Sequence, residues 1–372
     1  MQLIRRGDSG PAAAEVRAAL VALGLLPTPP QGANDEFDHG CELAVREFQQ
    51  RRGLIVDGLV GPDTYRALMA ARWRLGDRVL LHSMTTPMVG DDVAALQERL
   101  LELGYDAGRP DGIFGIRTER ALLGFQRECG IALDGTCGPA TMRALRQLGR
   151  KVVGGRPQFM RETEVLHYRG PALLGKRIVV DPGHGGEDTG NVVGDVTEAD
   201  LVWDLAARFE GRLVAAGVRA DLTRGRESTA TDVERAEFAN ASGADVLLSL
   251  HIDANGNPDA SGVSTYHFGT GNGVASTVGE KLAGLALREI VARTGMVNCR
   301  SHGKSWDMLR LTRMPAVRVE LGYLTSPRDR ERLSDPGFRD IVAEGLLAAV
   351  QRLYLTGDVD PPTGTWRIPV AG

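Results

Sequence analysis

Part of this chain occurs twice, and nothing else in it restricts the fold as much. Phe48, Gln49, Gly53, Asp57, Gly58, Gly61, Pro62, Thr64, Arg66, Ala67 and Leu68 recur 77 residues later, without a gap, as Phe125, Gln126, Gly130, Asp134, Gly135, Gly138, Pro139, Thr141, Arg143, Ala144 and Leu145. Upstream the spacing becomes 80, with Gly10, Leu20, Leu23 and Gly24 matching Gly90, Leu100, Leu103 and Gly104, so the first copy's early loop is three residues longer. A duplicated stretch of about 65 residues is one supersecondary unit used twice.

Within a copy, Val93, Leu96, Leu100 and Leu103 fall at helical spacing, and Gly104 ends the run. A Pro/Gly/Asp loop leads to a second helix over 117–128 with Leu122 and Phe125 facing inward; after the turn Asp134-Gly135, a third helix opens at Gly138-Pro139-Ala140-Thr141. Two small all-α three-helix domains are therefore expected, at residues 1–72 and 83–149. The paired Phe-Gln, the Asp-Gly turn and the Gly-Pro-Thr run resemble the peptidoglycan-binding-like domain, a resemblance that implies a wall-binding role. By periodicity alone, Phe48 and Phe125 are core residues and the Gly and Pro are turn formers. A docking surface for protein or for glycan fits that pattern equally well.

Residues 150–174 lose periodicity and collect Gly154-Gly155, Pro157 and Gly170-Pro171, which reads as a linker. From there to residue 355 strands alternate with helices: strands at 177–181, 219–223, 245–252, 262–268 and 316–321, and helices at 198–216, 232–242, 275–293 and 336–354. This alternation predicts an α/β domain with a mostly parallel sheet flanked by helices, followed by a tail over 356–372. Sites in such sheets lie beyond the carboxyl ends of the strands.

Three of these strands end in a residue that can bind metal or move a proton. Ile178-Val179-Val180-Asp181-Pro182-Gly183-His184-Gly185-Gly186 carries His184 out of a buried strand into a turn, Val246 to His251 does the same for His251, and Val317 to Gly322 places Glu320 at the end of a third apolar strand. Glu198 opens a helix just after Thr197, a suitable N-cap. Two His and one Glu form a donor set that suits a catalytic zinc ion with a position left for water. The structural alternatives are a helix-dipole acid at Glu198 and an ion pair of Glu320 with Arg318 or Arg313. An acid ending a buried strand nevertheless needs a partner or a task. His39, His82, His167, His267 and His302 are read as surface residues, with His302 alone worth checking.

Residues 175–355 resemble zinc-dependent N-acetylmuramoyl-L-alanine amidase domains with a phosphorylase/hydrolase-like sheet. The resemblance is carried by Asp181 to Gly186, Thr197 to Leu201, Arg235-Ala236 with Ala239-Asn240, Ser249-Leu250-His251, and Pro315 through Tyr323. It implies that His184, Glu198 and His251 hold Zn²⁺ and that Glu320 is the catalytic acid-base, cleaving the amide between N-acetylmuramic acid and L-alanine. Asn191, in the loop after the first ligand, is a candidate substrate contact or simply a turn former. The chain departs from the family pattern at Ile252-Asp253-Ala254-Asn255 and at Ser326-Pro327, which bear on substrate contacts and loop shape rather than on the metal.

Charge excludes one class of partner. The first 150 residues hold 18 basic and 19 acidic side chains and the formal net charge is −4, so no basic face marks a nucleic-acid binder. The Cys residues at 41, 129, 137 and 299 lack CxxC spacing, which supports neither a disulfide framework nor a Cys-based zinc site. No run approaches the ~18 apolar residues of a membrane span. Arg5 and Arg6 precede an uncharged run from Ala18 to Leu26, but the same stretch recurs in the repeat, so it reads as a domain helix. A cytoplasmic protein is expected unless export uses a route the sequence does not display. Two functions follow: hydrolysis of peptidoglycan or its fragments, or a regulator or scaffold of precursor synthesis that binds a biosynthetic enzyme or a muropeptide without cutting it. Phosphorylation at Thr356, Thr363 or Thr365 in the tail would add charge that switches such binding.

Overall fold

The computed structural model describes residues 3–28, 36–52, 54, 56–83, 85–148, 170–270, 275–355, 360 and 362–365. Gly53, His167, Thr356 and residues 150–169 of the expected linker lie outside the described residues. The chain divides into two compact units, one containing the repeats and the other the α/β domain.

Among the described residues the first unit holds six helices: α1 (Pro11–Ala22), α2 (His39–Arg52), α3 (Pro62–Ala71), α4 (Asp91–Glu102), α5 (Ile116–Cys129) and α6 (Pro139–Gln147). Each trio closes over its own core, with Leu20, Val45, Phe48 and Leu68 in one and Leu96, Leu122, Phe125 and Leu145 in the other. Pro62 and Pro139 occupy the first turn of α3 and α6, where a missing N–H removes no helical bond.

The glutamine of each Phe-Gln pair is buried and closes the turn that follows. Gln126 Nε2 donates to Asp134 Oδ1 at 2.7 Å, to the Thr136 carbonyl at 3.0 Å and to Thr141 Oγ1 at 3.2 Å, while its Oε1 accepts the Gly135 N–H at 3.0 Å. Gln49 makes the same four bonds to Asp57, Leu59, Thr64 and Gly58. The second repeat uses the device again, with Gln97 holding Asp111, Ile113, Thr118 and Gly112. In the first repeat Arg17 stands where Gln97 would be, bonding the Glu36 carbonyl and Asp38 at 2.9 Å each.

The second unit is built on a six-stranded sheet in the order β4-β1-β5-β8-β6-β7: β1 (Arg177–Pro182), β4 (Arg219–Leu222), β5 (Val246–Asp253), β6 (Val263–Phe268), β7 (Asn298–Lys304) and β8 (Ala316–Tyr323). A small hairpin, β2 (Val192–Val193) with β3 (Val196–Thr197), precedes helix α7 (Glu198–Ala215). The remaining helices among the described residues are α8 (Asp232–Ser242), α9 (Thr277–Thr294), α10 (Asp307–Leu311), α11 (Pro327–Ser334) and α12 (Pro336–Tyr354).

Four strands run parallel as expected, but β6 enters antiparallel to β8 and β7 follows β6, so the sheet is mixed. Strand β7 and helices α10 and α11 carry weak apolar periodicity and do not stand out in the sequence. Ile178, Val180, Leu248, Leu250, Val317 and Val319 share one core with residues of α7, α9 and α12. Alternation turns Asp181, Ser249, His251, Arg318 and Glu320 to the opposite side. Among the described residues no helix is long and apolar enough to cross a membrane.

Candidate active site

The site starts at the carboxyl end of β1. His184 leaves that strand with φ of 56°, a left-handed conformation rare outside glycine. Two buried arginines hold it there. Arg235 of α8 donates to the carbonyls of Pro182 and His184 at 2.8 and 2.7 Å, and Arg224 donates to those of Pro182 and Gly183 at 2.8 Å each. Arg235 also pairs with the buried Asp181 at 2.5 Å. Burial works against the Asp181 charge, but Arg235 and hydrogen bonds from Ser249 and Thr223 outweigh it and hold its pKa below the ordinary range.

Glu198 is supplied by the first turn of α7, whose cap is Thr197: its Oγ1 accepts the Asp200 N–H at 3.2 Å. His251 comes from the end of β5. Glu198 Oε1 lies 3.2 Å from His184 Nε2 and 3.0 Å from His251 Nδ1, and the donor atoms of the three residues all fall within 4.8 Å of one another. Burial raises the Glu198 pKa, yet hydrogen bonding to both imidazoles and to the Ile252 N–H overrides it and holds the carboxylate far below its usual range. The hydrogen bond to Glu198 raises the His184 pKa despite partial burial, with Asp188 adding to the effect. Asp188 Oδ2 lies 2.8 Å from His184 Nδ1, a contact that fixes the orientation of the imidazole.

Two glycines leave room for this convergence. A Cβ at Gly183 would lie 2.2 Å from His251 Cε1, and one at Gly190, where φ is 64°, would lie 2.7 Å from His184 Cδ2 and 2.8 Å from Glu198 Oε2. Two borderline nitrogens and one hard oxygen, bonded to one another and backed by Asp188, fit a divalent metal ion.

Asn191 faces the same cluster. Its Nδ2 donates to Glu198 Oε2 and to the Ile252 carbonyl at 2.9 Å each, and its backbone N–H donates to Glu198 Oε2 at 3.1 Å. Both amide protons are therefore engaged, and only Oδ1 is left to meet a substrate.

Glu320 is the register partner of His251 across β5 and β8 and lies on the same face. It is 5% exposed, and Arg318 Nε donates to its Oε1 at 2.7 Å, so of the two expected ion-pair partners Arg318 is the one engaged. Its Oε2 is buried and has no hydrogen-bond partner among the described residues. A buried carboxylate oxygen needs a partner or a task, and the register of Glu320 beside His251 makes it the candidate proton carrier of this site.

The residues quoted with the metal set as Arg235-Ala236 and Ala239-Asn240 are structural supports. Asn240 Nδ2 donates to the Leu311 carbonyl at 2.9 Å and its Oδ1 accepts the Arg313 N–H at 2.7 Å, which braces the approach to β8. The sequence names Arg318 as an ion-pair candidate but does not single out Arg224, Trp306 or Tyr266; Arg224 lies just past β4, where an Arg reads as an ordinary surface residue. His267 corrects the surface expectation: it is buried in β6, 3.3 Å from Ser301 Oγ, and burial lowers its pKa. His302 is half-buried against Tyr266.

The family model for N-acetylmuramoyl-L-alanine amidase matches residues 178–352, and that for a peptidoglycan binding domain matches twice, at 9–68 and 89–145. The N-acetylmuramoyl-L-alanine amidase CwlM of Mycobacterium tuberculosis is 50% identical over 374 residues, an alignment spanning 98% of this chain and 92% of CwlM. The N-acetylmuramoyl-L-alanine amidase LytC of Bacillus subtilis is 26% identical over 195 residues, spanning 52% of this chain and 38% of LytC. Among solved structures, an N-acetylmuramoyl-L-alanine amidase from Clostridium difficile 630 is 28% identical with a TM-score of 0.45, covering 47% of this chain and 95% of its own.

Proposed function

Because this chain belongs to the N-acetylmuramoyl-L-alanine amidase family, we propose that it hydrolyses the amide between N-acetylmuramic acid and L-alanine in peptidoglycan or its soluble fragments. The observation that carries this reading is Glu320: a buried carboxylate with one oxygen unpartnered, in register with one member of a converging His-Glu-His set.

In this proposal His184, Glu198 and His251 hold zinc. Bound there, the ion would supply a Lewis acid for the scissile carbonyl and would make a water molecule nucleophilic near neutral pH. Glu320 Oε2 takes the proton from the attacking water as the new C–O bond forms. It returns that proton to the amide nitrogen as the C–N bond breaks, so the alanine leaves as an amine. Asn191 keeps the Glu198 carboxylate in its bridging orientation through two N–H groups. The two repeats carry the peptidoglycan-binding role. A cytoplasmic setting is part of the same proposal; in support, the uncharged run 18–26 contributes Ala19 and Leu20 to the core of the first repeat.

The test is zinc content of the purified chain together with hydrolysis of a muramyl-peptide by wild type and Glu320→Gln. Stoichiometric zinc, turnover by wild type and its loss in the variant are expected. Zinc without turnover by wild type would overturn hydrolysis and leave a protein that binds a muropeptide or a precursor-synthesis enzyme.

A further inference from the structure

Beside Glu320 the sheet carries polar residues that the proposed chemistry has not used. Asp181, Ser249, Arg318, Tyr266 and His302 are successive register partners across β1, β5, β8, β6 and β7, and form one row along the face that bears the site. The adjacent row contains His251, Glu320 and Ser264. Arg318 is two residues before Glu320 and so leaves the sheet on the same side.

Arg318 reaches Glu320 with two nitrogens. Its Nε and its Nη2 each lie 2.7 Å from Oε1, and neither is bonded to Oε2. The guanidinium is itself confined: its carbon lies 4.9 Å from the Trp306 ring centroid, and that ring is 4.7 Å from Tyr266. The Tyr266 hydroxyl accepts from Ser264 Oγ at 3.2 Å, and its ring lies 5.7 Å from His302, whose Nε2 is 2.8 Å from the Cys299 carbonyl.

A glutamate that moves a proton between two atoms must present one oxygen at a constant place, yet its side chain has three rotatable bonds. Two donors on one oxygen remove most of that freedom, and a planar guanidinium stacked on an aromatic ring is a stiffer holder than an ammonium group. We infer that Arg318 is a positioning residue: it anchors Glu320 through Oε1 so that Oε2 alone faces the reaction, while Trp306 and Tyr266 hold the guanidinium in place. This rests on the reading of Glu320 as the proton carrier.

The experiment uses the full zinc-loaded chain as wild type, Arg318→Leu, Arg318→Lys and Trp306→Ala, with two readouts: kinetics on a soluble muramyl-peptide and the placement of Glu320 in crystals. Arg318→Leu should lower kcat about 10- to 100-fold, in the range for misplacing a reacting group. KM should stay within about twofold and zinc content should not change. Glu320 should rotate or split between rotamers. Arg318→Lys should recover part of kcat, and Trp306→Ala should lose less than Arg318→Leu. Wild-type kcat in Arg318→Leu, or Glu320 unmoved in its crystals, would overturn the inference. If Arg318→Leu does not fold, unchanged kcat and an unmoved Glu320 in both other variants overturn it instead. A wild type without turnover would defeat the proposed function, and the crystallographic arm would still decide whether Arg318 places Glu320.

Discussion

Gln126 in the second repeat and Glu320 in the α/β domain are both buried polar side chains facing a turn or a strand end, but their polar atoms meet different fates. Every polar atom of the Gln126 amide has a partner: Nε2 bonds Asp134, Thr136 and Thr141, and Oε1 accepts from Gly135. Glu320 has one oxygen held by Arg318 and the other left bare inside the protein. A closed network explains itself by the turn it holds together. An open one is tolerated at a cost of about 1–3 kcal/mol per unmet group, which a fold does not need for its own sake. Gln126 closes a turn of its own repeat, whereas Glu320 lies in register with His251 of the candidate metal set.

The sharpest way to break that contrast is to remove a member of the metal set. His251→Ala should bring hydrolysis below detection and abolish zinc retention, as measured by metal analysis after dialysis. In wild type, zinc at 100 times its Kd should stabilise the α/β domain by about 2.7 kcal/mol and leave the repeats unaffected. Scanning calorimetry with and without zinc would show one transition moving. If both transitions moved, the two units would not be thermally independent.

Next in size is Glu320→Gln, which keeps shape and removes the charge. Loss of a general acid-base of this kind lowers kcat by about 10²–10⁴-fold. Zinc content and thermal midpoint should stay close to wild type, because the amide oxygen can still accept from Arg318 and the weaker pairing is offset by relief of a buried charge. A large loss of stability would place Glu320 with Gln126 among the structural residues.

Gln126→Ala should do the reverse. Opening the clasp takes the acceptor from the Gly135 N–H and a donor from Asp134, Thr136 and Thr141, the last two still bonded to each other at 3.0 Å, and should destabilise the second repeat by about 2–3 kcal/mol. Urea unfolding followed by a probe in that repeat measures this, and hydrolysis of a soluble muropeptide should be unchanged. Thr141→Val, which removes only one hydroxyl at near-constant volume, is the smallest step and should cost about 1 kcal/mol. A loss as large as that of Gln126→Ala would mean the clasp acts through Thr141 alone.

The candidate ligands were legible in the primary sequence because each occupies a place that local rules identify. His184 lies just past β1, His251 and Glu320 lie near the carboxyl ends of the apolar strands β5 and β8, and Glu198 follows a capping Thr. The two helical repeats were legible for a similar reason, since duplication and helical periodicity are properties of neighbouring residues. Gln126 was visible as a recurrent letter beside Phe125, but its four bonds span separations of up to fifteen residues and needed the folded turn. Asn191 stood in a glycine-rich loop where a turn former and a substrate contact look alike, and folding aims its amide protons at Glu198 and Ile252.

Residue order along the chain thus set the elements and the identity of the candidate site residues, through periodicity, capping and the residues near strand ends. Their convergence came from packing. Arg235 and Arg224, from different segments, pin three consecutive carbonyls around His184, and glycines at 183 and 190 let the rings and carboxylate approach. The row linking Arg318 to Tyr266 and His302 exists because β6 enters the sheet antiparallel to β8 and carries β7 beside it. Strand direction and register are set by contacts between segments far apart in the chain. A local pattern of apolar and polar residues is the same whichever way its strand runs.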